Sequence, residues 1–275
     1  MKCTVLLENT ACCGGLAADH GLSLYIETGA HKVLFDMGPS PAFADNAAQL
    51  GVDLSQVDLA VLSHGHSDHA GGLESFLEQN ATAPVCIHEG AFGSYWSMSG
   101  GERHYIGMDQ GLKQYRSRFA VTKGVVMLDE GLVLFDGVDD DFGALGASSK
   151  LKYEKADGTS VPDDFRHEQD LLITEGDKTV LVAGCAHRGI VNIMAKAEAL
   201  LGRRPDAVIS GFHLFQLTAG DNDGDALIRR TAEALLEGET VYYTGHCTGD
   251  YAFAKLKELL GERLQRISGG MTFFV

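Results

Sequence analysis

Sulfur, proline and positive charge are scarce in this sequence, and each scarcity closes off a class of protein. Six cysteines in 275 residues are too few for a disulfide scaffold and read as thiols of a reducing compartment. Five prolines, no repeat and no low-complexity tract leave no obvious linker, so one domain over residues 1–275 is expected. Lys and Arg number 22 against 38 Asp and Glu, a formal net charge of −16. That balance argues against nucleic acid held on a basic surface, the short run from Lys113 to Arg118 being the local exception. No run of eighteen apolar residues exists, so no membrane span is expected. Glu8 interrupts the short apolar stretch at the N-terminus, and no export signal is read there. The expected place is the cytoplasm, and β-lactam hydrolysis is not expected.

What is plentiful is glycine, 34 residues, and histidine, 11. The glycines punctuate short apolar runs. Strands are expected over Cys3 to Leu7, Leu22 to Glu27, Lys32 to Phe35, Asp58 to Leu62, Val85 to His88, Val125 to Leu128, Leu132 to Phe135, Leu171 to Thr174, Thr179 to Ala183, Ala207 to Ser210, Thr240 to Tyr243 and Met271 to Val275. Three pairs of these read as hairpins. Helical spacing covers Pro41 to Leu50, Ile190 to Leu201, Asp225 to Leu236 and Tyr251 to Leu260. Hairpins mixed with strand–helix units predict α/β layers with mixed sheets. Residues 93–119 and 139–166 are poorly periodic and read as irregular insertions, either covers over an active site or ordinary surface loops.

The strongest chemical signal is Ser63-His64-Gly65-His66-Ser67-Asp68-His69-Ala70-Gly71-Gly72, directly after the buried run ending at Leu62. Strand ends are where α/β proteins assemble their sites. Side chains two apart on an extended segment point the same way, so His64 and His66 can hold one ion. A helical turn near Asp68 lets that carboxylate and His69 reach a second.

This segment resembles the signature of the metallo-β-lactamase fold superfamily, and the resemblance covers most of the chain. Leu34-Phe35-Asp36-Met37-Gly38 is similar to the family's second strand and its Asp-x-Gly turn, which implies that Asp36 is a buried acid beside the metals. Asp19-His20-Gly21-Leu22-Ser23, Gly184-Cys185-Ala186-His187-Arg188-Gly189, Gly211-Phe212-His213-Leu214 and Gly245-His246-Cys247-Thr248-Gly249 resemble a narrower group, the dihydropterin–ribofuranosylaminobenzene phosphate synthases and their relatives. The implied fold is an αββα four-layer sandwich, two mixed β-sheets flanked by helices. The implied cofactor is two divalent ions, zinc first with manganese or iron as alternatives. His64, His66 and His187 would hold one ion, and Asp68, His69 and His246 the other. Where the superfamily carries a bridging aspartate this sequence has Cys185, read either as a thiolate ligand or as a small buried residue. His167 is not expected to be a ligand, and Glu168 is the acid that group relatives carry there.

Among the remaining residues His213, at a strand end, is either a proton donor near the ions or a histidine satisfied in the core, and His20 is a weaker candidate of the same kind. His31 and His104 are expected at the surface. His88 is expected to be structural. Cys247 is expected to point away from His246 into packing. Two functions follow. One is a dinuclear hydrolase in which a metal-bound hydroxide, oriented by Asp68, attacks a small anionic ester, lactone or phosphate-containing substrate. The other is a transferase of the synthase type, with diphosphate as leaving group. A metal-binding or redox-sensing protein using Cys185 is the third and weakest.

Overall fold

The computed structural model describes residues 1–143 and 150–275. Its first half runs β1 (Lys2–Leu7), β2 (Ser23–Glu27), β3 (Lys32–Phe35), α1 (Ala42–Gln49), β4 (Leu59–Val61), α2 (Ser67–Ala70), α3 (Leu73–Gln79), β5 (Val85–His88), β6 (Ser94–Ser97), β7 (His104–Tyr105) and β8 (Phe119–Thr122). The second half runs β9 (Val126–Asp129), β10 (Leu132–Phe135), β11 (Leu151–Glu154), β12 (Ser160–Pro162), β13 (Asp170–Glu175), β14 (Lys178–Val182), α4 (Ile190–Leu201), β15 (Ala207–Ile209), α5 (Asn222–Leu236), β16 (Val241–Thr244), α6 (Asp250–Leu260), β17 (Leu264–Arg266) and β18 (Thr272–Phe274).

Two seven-stranded sheets form, ordered β18-β1-β2-β3-β4-β5-β8 and β17-β16-β15-β14-β13-β10-β9. Each is antiparallel on one side and parallel on the other. In the first, β3, β4, β5 and β8 run parallel. In the second, β14, β15, β16 and β17 do. Alternation sorts the side chains of each strand to two faces. Val5, Leu24, Phe35 and Val61 of the first sheet meet Leu134, Leu171, Val182 and Ile209 of the second. The outer face of the first sheet offers Leu34, Ala60 and Val85 to Phe43 of α1 and Phe76 of α3. The outer face of the second offers Leu181, Val208 and Tyr242 to Ile193 of α4, Ala232 of α5 and Leu256 of α6. The result is the four-layer αββα sandwich expected from the resemblance, helices outside and the two sheets back to back.

Local sequence explains the element ends. Gly202 stops α4 in the left-handed conformation, φ 72°. The Asp221 carboxylate caps α5 by accepting from Gly224 N, so the helix begins at Asn222, earlier than its apolar pattern suggests. A clear departure from expectation lies in the two weakly periodic segments. Instead of irregular loops they supply β6, β7, β11 and β12, which pair across sequence into a small antiparallel sheet, β12-β11-β6-β7. The stretch 144–149 of the second segment lies outside the described residues. The first segment leans on the histidine loop: Ser67 N donates to Ile106 O at 2.7 Å and Met108 N to Gly65 O at 3.1 Å. Leu264–Arg266, not anticipated as a strand, closes the edge of the second sheet against β16. Among the described residues no helix is long and apolar enough to cross a membrane.

Candidate metal centre

The carboxyl ends of the parallel strands of both sheets open on one place. β3 delivers Asp36, β4 delivers Ser63 and the histidine loop, β14 delivers Cys185 and His187, β15 delivers His213 and β16 delivers His246. Four non-glycine residues in these turns have left-handed backbones: Asp36 (φ 58°), Ala186 (53°), His213 (49°) and His246 (47°). Phe165, whose ring stacks on His187 at 4.4 Å, is a fifth (φ 51°). Such conformations cost energy and persist where surrounding bonds over-determine them.

The anticipated residues converge in two groups. His64 Nε2 lies 3.2 Å from His187 Nε2. The His66 ring stands 4.6 Å from that of His64 and 4.9 Å from that of His187. On the other side, His69 Nε2 is 3.2 Å from His246 Nε2, and Asp68 Oδ2 is 3.6 and 3.4 Å from the two. Cys185 Sγ joins this second group, 3.1 Å from His69 Nε2 and 3.3 Å from His246 Nε2. It also shares a donor set with His64 and His187, and so lies between the groups. α2 carries Asp68 and His69 on one short turn, with His66 as its extended N-cap.

The far sides of the His64, His69 and His246 rings are engaged, while His187 Nδ1 has no hydrogen-bond partner. Asp36 accepts from His69 Nδ1 at 2.6 Å. It also accepts from Ser63 N and Ser63 Oγ, both at 2.7 Å. The hydroxyl, its proton spent on Asp36, accepts from His64 Nδ1 at 2.9 Å. Asn9 Oδ1 accepts from His246 Nδ1 at 2.9 Å, and the Glu8 carboxylate takes the His246 backbone N–H at 2.6 Å. Glu168 accepts from the backbone N–H of His187 and Arg188 at 2.7 and 2.9 Å. Gly184 has no room for a side chain, since a Cβ there would stand 2.3 Å from Ser63 Oγ.

Electrostatics follow from this packing. Burial, then the charges of His69 and His66, drives the His64 imidazolium well below its ordinary range. Burial and the neighbouring His213 and His64 do the same to His187. Burial would raise Asp68, but His69 and His246 overrule it and hold the carboxyl well below its usual range. Burial would lower His69, yet Asp68 and Asp36 push it up to about 9. Burial raises Glu168.

The remaining singled-out residues are placed as follows. Cys247 does not point into packing on the far side of a strand: β16 ends at Thr244 and residues 246–248 form a single 3-10 turn, which swings Cys247 Sγ to 3.4 Å from Cys185 O. His31 is only half exposed, between Asp58 and Asp129. His104 is exposed and His88 is buried, donating to Asp136 at 2.8 Å. His20, at the rim, is 3.6 Å from Asp68 Oδ2. His167 accepts from Gly65 N and donates to Asp163 Oδ2 at 3.2 Å. Asp163 also lies 3.7 Å from His66 Nε2, which has no hydrogen-bond partner. Both ring nitrogens of His213 also lack one. Glu8, Asn9, Ser63 and Asp163 were not anticipated as members of the site. Glu8 had a signal, an acid ending an otherwise apolar buried strand.

The donor set fits divalent cations. Nδ1–H groups of His64, His69 and His246 are committed to acceptors, which aims their Nε2 lone pairs inward, the orientation second-sphere bonds impose on ligating histidines. Lone pairs 3.2 Å apart repel unless a proton or a cation lies between them. The orphaned His66 Nε2 completes the picture of a buried polar cluster awaiting a positive charge.

A cluster of imidazole, carboxylate and thiol at the strand ends of an αββα sandwich defines a metal-dependent enzyme. The model of the metallo-beta-lactamase superfamily matches residues 16–246, and the chain belongs to that superfamily. Among similar proteins, the 7,8-dihydropterin-6-methyl-4-(beta-D-ribofuranosyl)-aminobenzene-5'-phosphate synthase of Methanocaldococcus jannaschii is 26% identical over 92% of this chain and 89% of its own. An uncharacterized protein of the same organism is 27% identical over 93% of each chain. The crystal structure of a metal-dependent hydrolase of the beta-lactamase superfamily is 26% identical, with a TM-score of 0.82 over 100% of this chain and 99% of that one.

Proposed function

We propose that this chain is a dinuclear metal-dependent hydrolase of a small anionic ester, lactone or phosphate-containing molecule. His64, His66 and His187 would hold one ion and Asp68, His69 and His246 the other, with Cys185 as a thiolate available to both. Imidazole and thiolate donors favour zinc over manganese or iron. Once bound, such ions supply Lewis acidity and bring a water's pKa toward neutrality.

The chain's own residues do the rest. Asp68, the member of the cluster with 22% of its side chain exposed, accepts a hydrogen bond from the attacking water and orients it. His213, whose ring lies 4.2 Å from that of His187, offers an N–H to the leaving group. The peptide N–H groups that open α4 behind His187 favour a negatively charged substrate. The carrying observation is the pairing of Nε2 atoms at 3.2 Å, His64 with His187 and His69 with His246, with the Nδ1 sides of His64, His69 and His246 tied down. Metal analysis followed by a panel of phosphodiesters, esters and lactones with added zinc or manganese tests the reading. Asp68→Ala should abolish turnover, and a panel with no turnover at any metal loading would refute it.

The likeness to the synthase over nearly the whole chain supports a second reading, a transferase in which the same ions hold a diphosphate leaving group. That enzyme would be inert on the hydrolase panel and would release diphosphate from a pterin substrate.

A further inference from the structure

Behind the two groups of the metal centre, the turns after β15 and β16 build a third set of donors. The single turn at 246–248 aims Cys247 inward, and its Sγ, the Cys185 Sγ and a ring nitrogen of His213 all lie within 4.8 Å of one another. All three residues are buried. Neither ring nitrogen of His213 finds a hydrogen-bond partner, although the residue is only 7% exposed. A buried polar atom with no partner is unfavourable unless something satisfies it.

The backbone holds this arrangement firmly. Leu214 N and Phe215 N both donate to Cys247 O at 3.0 Å. Phe212 N donates to Thr248 Oγ1 at 3.0 Å, and Thr248 Oγ1 lies 2.5 Å from Thr244 Oγ1. His213 and His246 both keep left-handed backbones, φ 49° and 47°. Gly211 leaves the space that the sulfur occupies, since a Cβ there would come 2.5 Å from Cys247 Sγ. A histidine satisfied by core packing would have at least one ring nitrogen paired, and a cysteine serving only as filler would not be aimed at a second thiol and an imidazole.

We propose that Cys185, His213 and Cys247 form a third metal site, one that takes a thiophilic d10 cation such as zinc or cadmium. Two thiolates with one imidazole are the donors such ions select. On binding, each thiol gives its proton to solvent and its sulfur lone pair to the ion, and no electron is transferred. Cys185 belongs to this set and to the set with Asp68, His69 and His246, so the third ion shares a sulfur with the second. One His213 nitrogen on the ion leaves the other with its N–H, which keeps the donor role proposed above. The site does not depend on whether the enzyme hydrolyses or transfers.

The test uses the full chain with Cys12 and Cys13 both replaced by serine, because these two exposed thiols would also take the probe. Cadmium chloride is titrated into this protein and the sulfur-to-cadmium charge-transfer absorption is followed, while zinc per chain is counted after saturation and dialysis. The expected result is loss of one zinc per chain, and of about half the thiolate band, in Cys247→Ser. His213→Gln is expected to lose the same zinc with the band weakened. Asp68→Ala should lose a different zinc and keep the band, so failure of the hydrolase reading and failure of this site give separate signals. An unchanged band and zinc count in both Cys247→Ser and His213→Gln would overturn the proposal. Should the serine variant not fold, the count in His213→Gln decides alone.

Discussion

Asp36 Oδ2 lies 2.6 Å from His69 Nδ1, and both side chains are entirely buried. The same carboxylate fixes Ser63 through two further bonds, and Ser63 in turn fixes His64. One acid directly after β3 therefore orients an imidazole from each half of the centre. It joins the end of β3 to the loop that follows β4, which explains why its backbone tolerates a left-handed conformation.

Asp36→Asn keeps the volume and removes the charge. Outer-sphere partners of this kind are worth about 10- to 100-fold in metal affinity, and a loss of that size is expected here. Competition with a chelator of known affinity measures it, with circular dichroism to confirm the fold. Unchanged affinity would show that Asp36 is merely buried.

The pH behaviour of the metal-free protein follows from His69. Its imidazole faces Asp36, Asp68, Cys185, His246 and the ring of His64. Burial lowers it, the two carboxylates outweigh burial, and it is pushed up to about 9 from an ordinary value of about 6.5. A folded value above the unfolded one contributes stability that is complete below the unfolded value and is lost as pH rises through about 9. Metal-free protein should lose stability between those limits in urea unfolding. Loading zinc at neutral pH should also expel the His69 proton, which calorimetry in buffers of different ionisation enthalpy detects. A proton count that does not change in His69→Gln would contradict this.

The sequence exposes the centre more fully than it exposes the frame around it. Lys32–Phe35, Val85–His88, Leu132–Phe135 and Ile190–Leu201 fall where apolar periodicity puts them, because each packs a continuous face on the core. The small sheet does not, because β6 pairs with β11 more than fifty residues on and its strands are too short to show alternation. The histidine loop is legible because its three histidines and one aspartate are close in sequence and chemically distinctive. Glu8, Asn9 and Asp163 are distant from it and of common residue types, and only the fold brings them to His246 and His66. The direction of Cys247 depends on whether strand geometry persists past Thr244, and the chain turns there for reasons its local pattern does not show.

Asn46 on α1 fixes the long connection between β1 and β2, which carries Asn9 and His20. Its amide donates to Leu6 O and Ala17 O and accepts from Ala17 N, each at 2.8 Å. Asn46→Ala strands the buried Leu6 O at about 1–3 kcal/mol and releases the N and O of Ala17, an exposed residue that water can reach. A loss of about 1–3 kcal/mol in urea unfolding is expected. A smaller loss would mean that water enters and replaces the amide.

Glu8 tests whether a backbone contact can govern an ion. Its carboxylate is buried at the end of β1, where Oε1 takes the His246 N–H at 2.6 Å and Oε2 takes Thr10 N and Thr10 Oγ1, both at 2.7 Å. His246 needs that anchor, for its φ of 47° costs a non-glycine residue energy unless neighbours hold it. Glu8→Ala releases the turn, and His246 Nε2 should leave its position opposite His69. Zinc per chain should then fall by one, with the ion at His64, His66 and His187 retained, because none of those residues touches Glu8. Glu8→Gln keeps an oxygen acceptor for the His246 N–H and should restore much of the lost zinc. A general loss of stability would instead lower both ions together and would not discriminate between glutamine and alanine.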